Sequence, residues 1–326
     1  MGEFDLIARY FTRPVRRAAL GVGDDCALLA PAPGMQLAVS SDMLVQGRHF
    51  FADVDPERLG HKALAVNLSD LAACGARPLA FTLALALPPV DAPWLAAFSR
   101  GLVALADAHS CELVGGDTTQ GPLNICITVF GEVPAGQALL RSGARPGDDI
   151  YVSGTLGDAR LALEALQGHI TLPADVLAAA RLRLEQPTPR VALGQALRGV
   201  ASSALDVSDG LLGDLGHILR ASGTGACIDT FIAIDLIAAS ALPISARGQF
   251  DPELFHQCTL AGGDDYELAF TAPVARRAAV AAAALASSTP VTRIGRIEAE
   301  PGLRLVDAQG RPVVQRYASF DHFAAG

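Results

Sequence analysis

DPERLGHKALAVNLSDLAACG, residues 55–75, carries its own beginning and end. Asp55 can accept the N–H groups that the first turn of a helix leaves over, Pro56 has no N–H to leave over, and Gly75 stops the apolar run. The stretch predicts one helix, and its neighbours show what it packs on. FTLALAL (81–87) lacks polar alternation and reads as a strand, and APWLAAFSRGLVALADAH (92–109) reads as a second helix. Further out, CELVGG (111–116) and LNICITVFGEV (123–133) predict two more strands, and ALLA (27–30) and QLAVSSD (36–42) two others around a Pro-Gly turn. Residues 3–11 predict a short amphipathic helix. Strand and helix alternate through this half, and the strands are too apolar to be half exposed. The fold class is therefore α/β (α+β).

A boundary is expected at ARPGDDIYVSG (144–154), where a turn-rich approach leads into a fresh strand. Helices follow at 156–167, 174–185 and 189–199, then SALDVSDG (203–210), where a strand ends in acids and hydroxyls and the helix LLGDLGHILRAS begins. LAGGDDYELAF (260–270) again sets glycines and carboxylates ahead of an apolar strand. The expected domains are 1–143 and 144–326.

With 326 residues, 51% hydrophobic and 18% charged, the chain has ample material for such cores. Its net charge of −9 and scattered basic residues, apart from Arg13, Arg16 and Arg17, argue against nucleic acid. A phosphorylated ligand would need positive charge from elsewhere, and divalent metal is the usual supply. Cys26, Cys74, Cys111, Cys126, Cys227 and Cys258 form no Cys-x-x-Cys pair and read as reduced, buried thiols. The acidic N-terminus is unlike a signal peptide, and no apolar run approaches the roughly 20 residues that span a bilayer. A soluble, cytoplasmic protein is expected.

The carboxylates recur in one design, a small or hydroxyl residue beside an Asp at the end of an apolar segment. Gly23-Asp24-Asp25, Ser40-Ser41-Asp42, Ser69-Asp70, Gly115-Gly116-Asp117-Thr118-Thr119, Asp206-Val207-Ser208-Asp209 and Gly263-Asp264-Asp265-Tyr266-Glu267 all follow it. Short Asp side chains on tight turns hold hard cations such as magnesium or calcium with little conformational freedom. Asp70 stands apart, because it lies inside an apolar helix one turn after Asn67. It is either a helix-surface acid or one with a metal or hydrogen-bond partner.

The commoner nucleotide enzymes are excluded. There is no G-x-x-x-x-G-K-[ST], the single lysine, Lys62, lies mid-helix, and neither G-x-G-x-x-G opening a helix nor G-x-S-x-G occurs. The histidines show no metal-ligand spacing. Charge must then be handled by divalent ions and one arginine, of which Arg141 is the best placed, although it also fits a surface role. An acid-rich magnesium site suits phosphoryl transfer, which is mostly positioning and charge neutralisation. A phosphate acceptor is already anionic and needs no general base.

Taken in order, EFDLIARYF, GVGDDCALL, SSDMLV, HKALAVNLSDLAACGARP, VGGDTTQGPL, RSGARPGD, DVSDGLLGDLGHI, GGDDYEL and the terminal FDHF span essentially the whole chain. In these motifs the sequence resembles the thiamine-monophosphate kinase family, of the superfamily that includes aminoimidazole ribonucleotide synthetase and selenophosphate synthetase. The resemblance implies a two-domain aminoimidazole ribonucleotide synthetase-like fold. Its N-terminal domain, a mixed sheet or half-barrel with helices, would bind ATP and metal and form a homodimer by strand pairing. Its C-terminal α/β domain would complete the nucleotide and substrate site. The implied reaction is ATP- and Mg2+-dependent phosphorylation of thiamine monophosphate to thiamine diphosphate, with several Mg2+ ions.

The family's metal positions fall on Asp25, Ser41, Asp42, Asp70, Asp117, Asp206 and Asp209. Its ATP positions fall on Gly116, Asp117, Arg141 and Ser208, and its substrate positions on His49, Asp264 and Phe320. Asp70, Asp117 and Arg141 would carry catalysis. Some relatives have Glu at the position of Asp264 and Trp or Tyr at that of Phe320, so a shorter acid and a less polar ring are expected to weaken substrate grip without changing the reaction; Phe320 also fits a packed aromatic. Two other readings remain at this point. An amide-directed ligase of the same superfamily lacks support, because the chain ends DHFAAG without a reactive cysteine and Cys26 does not match the N-terminal nucleophile of selenophosphate synthetases. A non-catalytic magnesium-nucleotide sensor would not need acids at every metal position.

Overall fold

Asp55 does cap the helix that follows it, its Oδ1 accepting the N–H groups of Glu57 at 2.9 Å and Arg58 at 3.1 Å. The computed structural model describes residues 3–89, 92–234, 252–314 and 317. The chain folds as two compact units, one of Met1–Leu71 with Ala76–Ala138, the other of Ala72–Gly75 with Leu139–Gly326.

The first unit contains α1 (Glu3–Tyr10), β1 (Met35–Val45), α2 (Pro56–Ala73), β2 (Arg77–Leu87), α3 (Ala92–Ala108), β3 (Glu112–Gln120) and β4 (Asn124–Pro134). The sheet order is β1-β4-β2-β3, with β2 and β3 parallel and the other pairs antiparallel. Helix α2 covers the face bearing Ser40 and Asp42, and α3 packs on α2 so closely that a Cβ on Gly101 would lie 1.8 Å from the Glu57 carbonyl oxygen. At the start of the opposite face, Ala80 and Phe130 pack with Val15, Ala18, Ala27, Leu29, Leu79 and Val114, so the segment after α1 lies on the sheet.

Three expectations need correction. ALLA forms no strand; its Leu28 makes one isolated bridge to Leu20, and Ala27 and Leu29 serve as packing. The acids of β1 and β3 lie inside strands, not at their ends, because both strands run on to Val45 and Gln120. Finally, β1 is half exposed, with Leu37, Val39 and Met43 at 45%, 56% and 53% exposure on one face.

The second unit holds β5 (Asp149–Ser153), α4 (Asp158–Leu166), α5 (Ala174–Glu185), α6 (Val191–Ala196), β6 (Ser203–Val207), α7 (Leu211–Ser222), β7 (Gly225–Asp229) and α8 (Thr230–Ile234). Next come α9 (Pro252–Ala261), β8 (Glu267–Ala272), α10 (Arg277–Ala286), β9 (Val291–Glu298), β10 (Gly302–Val306) and β11 (Pro312–Val313). Its sheet runs β11-β10-β7-β9-β5-β8-β6. Ile150, Val152, Leu205, Val207, Leu215, Ile228, Ala269 and Ile294 form its dry centre. Among the described residues no helix is long and apolar enough to cross a membrane. All six cysteines are free thiols, with Cys111 and Cys258 buried but Cys26 exposed, contrary to the expectation that all are buried.

Candidate functional site

In the first unit a β-bulge decides where the strongest acid motif points. Leu113 pairs with Phe81, yet Gly115 pairs with Thr82, so Val114 is an extra residue in β3. In an unbroken register Asp117 would pair with Leu85, a core residue 2% exposed. The bulge sets it opposite Ala84 instead, and its carboxylate is exposed. Gly116 makes this possible, because its φ is +145° and a Cβ there would stand 1.9 Å from the Leu83 carbonyl oxygen.

Asp117 lines a cleft of about 810 Å³ together with Asp24 and Asp25 of the GVGDD loop. Ile7 of α1 and Phe11 just beyond its end form an apolar wall, and Thr82, Gly115, Gly116 and Thr118 add backbone and hydroxyl groups. No Lys, Arg or His is found among the described residues that line it. Three exposed carboxylates in one cleft without a positive side chain beside them offer an oxygen-only donor set to a hard cation. Among the described residues no three His, Cys, Asp or Glu side chains stand together as a ready metal cage. Magnesium is typically held by one or two carboxylates plus water and substrate phosphates, not by an all-protein cage, so this oxygen-only donor set fits it.

The loop is held in place from both ends. The Glu112 carboxylate accepts the backbone N–H groups of Arg16 at 2.7 Å and of Arg17 and Ala18 at 3.1 Å. Burial pushes the Glu112 carboxyl up, but these three donors and the Arg17 charge outweigh it and hold the group below the usual carboxylate range. At the far end Glu132, 2% exposed, accepts the Ala32 N–H at 2.9 Å and pairs with Arg77.

The acids of β1 and α2 form a second group. Ser40 Oγ donates to Asp70 Oδ2 at 2.5 Å, and Asn67 Oδ1 accepts the Asp42 backbone N–H at 3.1 Å. Asp70 thus has the hydrogen-bond partner its place in the helix called for. Ser41 lies on the other side of β1, where its hydroxyl donates to the Ile127 carbonyl at 3.1 Å, so the Ser41 and Asp42 side chains do not converge. β1 and β3 are opposite edges of the sheet, three strand spacings or roughly 14 Å apart, which separates Asp42 from Asp117. His49 is folded back on β1, its Nδ1 accepting the Val45 N–H at 3.0 Å.

In the second unit two loops lie side by side. Asp206 is the last residue but one of β6, Ser208 and Asp209 follow the strand, and the Asp264 N–H donates to the Ser208 carbonyl at 2.9 Å. Asp264 and Tyr266 both have positive φ, +67° and +51°, and the Tyr266 hydroxyl reaches Asp264 Oδ1 at 3.4 Å. Within the same motif Asp265 and Glu267 serve the scaffold. Asp265 receives the Gly157 N–H at 2.9 Å and its carboxyl is raised by burial, while Glu267 is buried between Arg183 and Arg190. Arg141 is exposed, and its charge, after burial, helps to lower His217. Phe320 lies outside the described residues.

Sequence reading passed over Asp214. Its Oδ2 accepts the N–H groups of Ser208, Asp209 and Gly210 at 3.0–3.1 Å, and burial pushes its carboxyl up to about 6. An acid four residues into a helix that follows Ser-Asp-Gly was the available signal.

The family model AIR synthase related protein, N-terminal domain, matches residues 23–133, and AIR synthase related protein, C-terminal domain, matches residues 145–308. The thiamine-monophosphate kinase of Salmonella typhimurium is 48% identical over 331 residues, which cover 99% of this chain and 98% of that one. The chain belongs to the thiamine-monophosphate kinase family. A second thiamine-monophosphate kinase, from Escherichia coli K12, is 48% identical over 334 residues, with 99% and 98% covered. The crystal structure of thiamine-monophosphate kinase from Stenotrophomonas maltophilia K279a superposes with a TM-score of 0.81 at 46% identity, covering 93% of this chain and 94% of that one. AaThiL complexed with AMPPCP and TMP superposes at 0.77 with 29% identity, covering 90% and 89%. Hydrogenase maturation protein HypE, at 22% identity and a TM-score of 0.75, shares the fold alone.

Proposed function

We propose that this chain phosphorylates thiamine monophosphate, with ATP as donor and Mg2+ as the charge carrier, giving thiamine diphosphate and ADP. The observation that carries the reading is the cleft in which Asp24, Asp25 and Asp117 meet a glycine backbone with no positive side chain among the described lining residues. Magnesium supplies neutralisation of the phosphate oxygens on which charge develops. Asp25, Ser41, Asp42, Asp70, Asp117, Asp206 and Asp209 are the residues assigned to hold it. Gly116, with no side chain, lets backbone approach the nucleotide phosphates, joined in this reading by Ser208 and Arg141. His49, Asp264 and Phe320 are assigned to the substrate.

The acceptor oxygen is anionic near neutral pH, so the transfer is direct and in line and requires no proton abstraction. The state of His49 agrees with this, since its Nδ1 is taken up by the Val45 N–H. Asp70 and Asp117 orient the donor, and Arg141 offers charge to the transferred group.

A second copy of the chain is the proposed partner, through the exposed β1 face. The cytosol is the proposed compartment, supported by six free thiols. The domains are taken as 1–143, for ATP and metal binding and self-association, and 144–326, which contributes the assigned residues Asp206, Ser208, Asp209, Asp264 and Phe320. Incubation of the purified chain with ATP, MgCl2 and thiamine monophosphate, followed by chromatography, should yield thiamine diphosphate and ADP in equal amounts and none with EDTA. ATP binding without diphosphate would reject the reading in favour of the sensor.

A further inference from the structure

Glu112 and Asp117 are five residues apart in β3 and in a regular strand would point to opposite faces. The extra residue Val114 brings both to the same face, with Ala80 opposite Glu112 and Ala84 opposite Asp117. On that face lies the segment that carries Asp24 and Asp25, and the Glu112 carboxylate takes three of its successive N–H groups at 2.7–3.1 Å. The base of the loop closes just beyond, where the Ala19 N–H donates to the Leu28 carbonyl at 2.9 Å and the Leu28 N–H to the Leu20 carbonyl at 3.1 Å. The Arg17 guanidinium adds a bond to the Pro78 carbonyl at 3.0 Å.

We infer that Glu112 is a positioning residue, a latch that sets the Asp24-Asp25 loop against Asp117 so that the cleft is formed before the metal-nucleotide arrives. The inference rests on the reading of the cleft as the Mg-ATP site. A carboxylate suits this task, because it presents two acceptor oxygens to three donors. A glutamine at this position keeps the size but turns one acceptor into a donor facing N–H groups. Releasing the latch leaves the acids in the chain but lets them disperse, so the loss appears in metal-nucleotide binding more than in the transfer step.

The test uses Glu112→Gln and the wild type. Arg16 and Arg17 are trypsin sites within the latched segment, whereas Arg13 is shielded by Pro14. In Glu112→Gln, cleavage after Arg16 or Arg17 should speed up at least tenfold, and half-saturating Mg2+ should rise at least fivefold while kcat changes less than threefold. Glu57→Gln, which removes an exposed partner of Arg100, should move neither. In the wild type, amide exchange at residues 16–18 should be protected and should slow further with Mg-ATP. Unchanged cleavage and Mg2+ dependence in Glu112→Gln overturns the inference. If that variant fails to fold, wild-type amides at 16–18 exchanging at the rate of an open peptide overturn it instead. A wild type that makes no thiamine diphosphate counts against the reaction, while proteolysis and exchange still decide the latch.

Discussion

Asp70 and Asp117 are assigned to the same chemistry but sit in different surroundings, and this separates their tests. Asp117 is exposed and lines the cleft, so Asp117→Asn should leave stability within about 0.5 kcal/mol of wild type. Asp70 receives the Ser40 hydroxyl at 2.5 Å, a bond that the amide oxygen of Asp70→Asn can still accept. Each substitution should lower thiamine diphosphate formation by roughly 10²–10³, the scale on which losing one transition-state-stabilising group acts, because each carboxylate would help to hold the cation that neutralises the phosphates. Parallel thermal melts separate this from unfolding, and normal turnover by either variant would remove that residue from the site. Asp70 could be recognised in the sequence because a carboxylate in an apolar helix demands a partner. Glu112 could not, since its partners are backbone N–H groups some 95 residues upstream, and no periodicity encodes such a pairing.

At the scale of elements, helices were the more legible. Residues 174–185 were expected and observed as one helix, and the Asp55-Pro56 start of α2 followed directly from capping chemistry. Strand limits were not, because polar residues inside β1 and β3 resemble strand ends; in the structure Ser40 and Asp42 face α2, and Asp117 is exposed in mid-strand. Adjacent glycines in β3 give a measure of how strictly the bulge is built. Gly115 has only Thr82 Cγ2 at 3.8 Å from a would-be Cβ, whereas Gly116 combines φ +145° with a carbonyl oxygen at 1.9 Å. Gly116→Ala should therefore cost about 2 kcal/mol or more, seen as a Tm lower by several degrees, and Gly115→Ala much less. Equal melting of the two variants would contradict the close approach of β3 to β2.

For the whole molecule, the ordered motifs were enough to name the family, and the relatives match nearly end to end. The proposed pairing of two copies belongs to this scale. Leu37, Val39 and Met43 project from an edge strand, where a partner sheet would bury them. Val39→Glu should shift the sedimentation coefficient from that of a dimer to that of a 33.7 kDa monomer at micromolar concentration. A wild type that already sediments as a monomer would remove the second copy from the account.

The carboxylates that hold the GVGDD loop belong to strands β3 and β4, translated about a hundred residues after the loop itself. During synthesis the acid loop therefore emerges long before anything exists to hold it. At about 5–20 residues per second, it waits roughly 5–20 s on the ribosome before Glu112 and Glu132 arrive. The cleft is in this sense a late product of vectorial synthesis, assembled from the first part of the chain to appear and the last strands of its own sheet. An arrested nascent chain ending before Glu112 would contain Asp24, Asp25, Asp42 and Asp70 and still have no cleft.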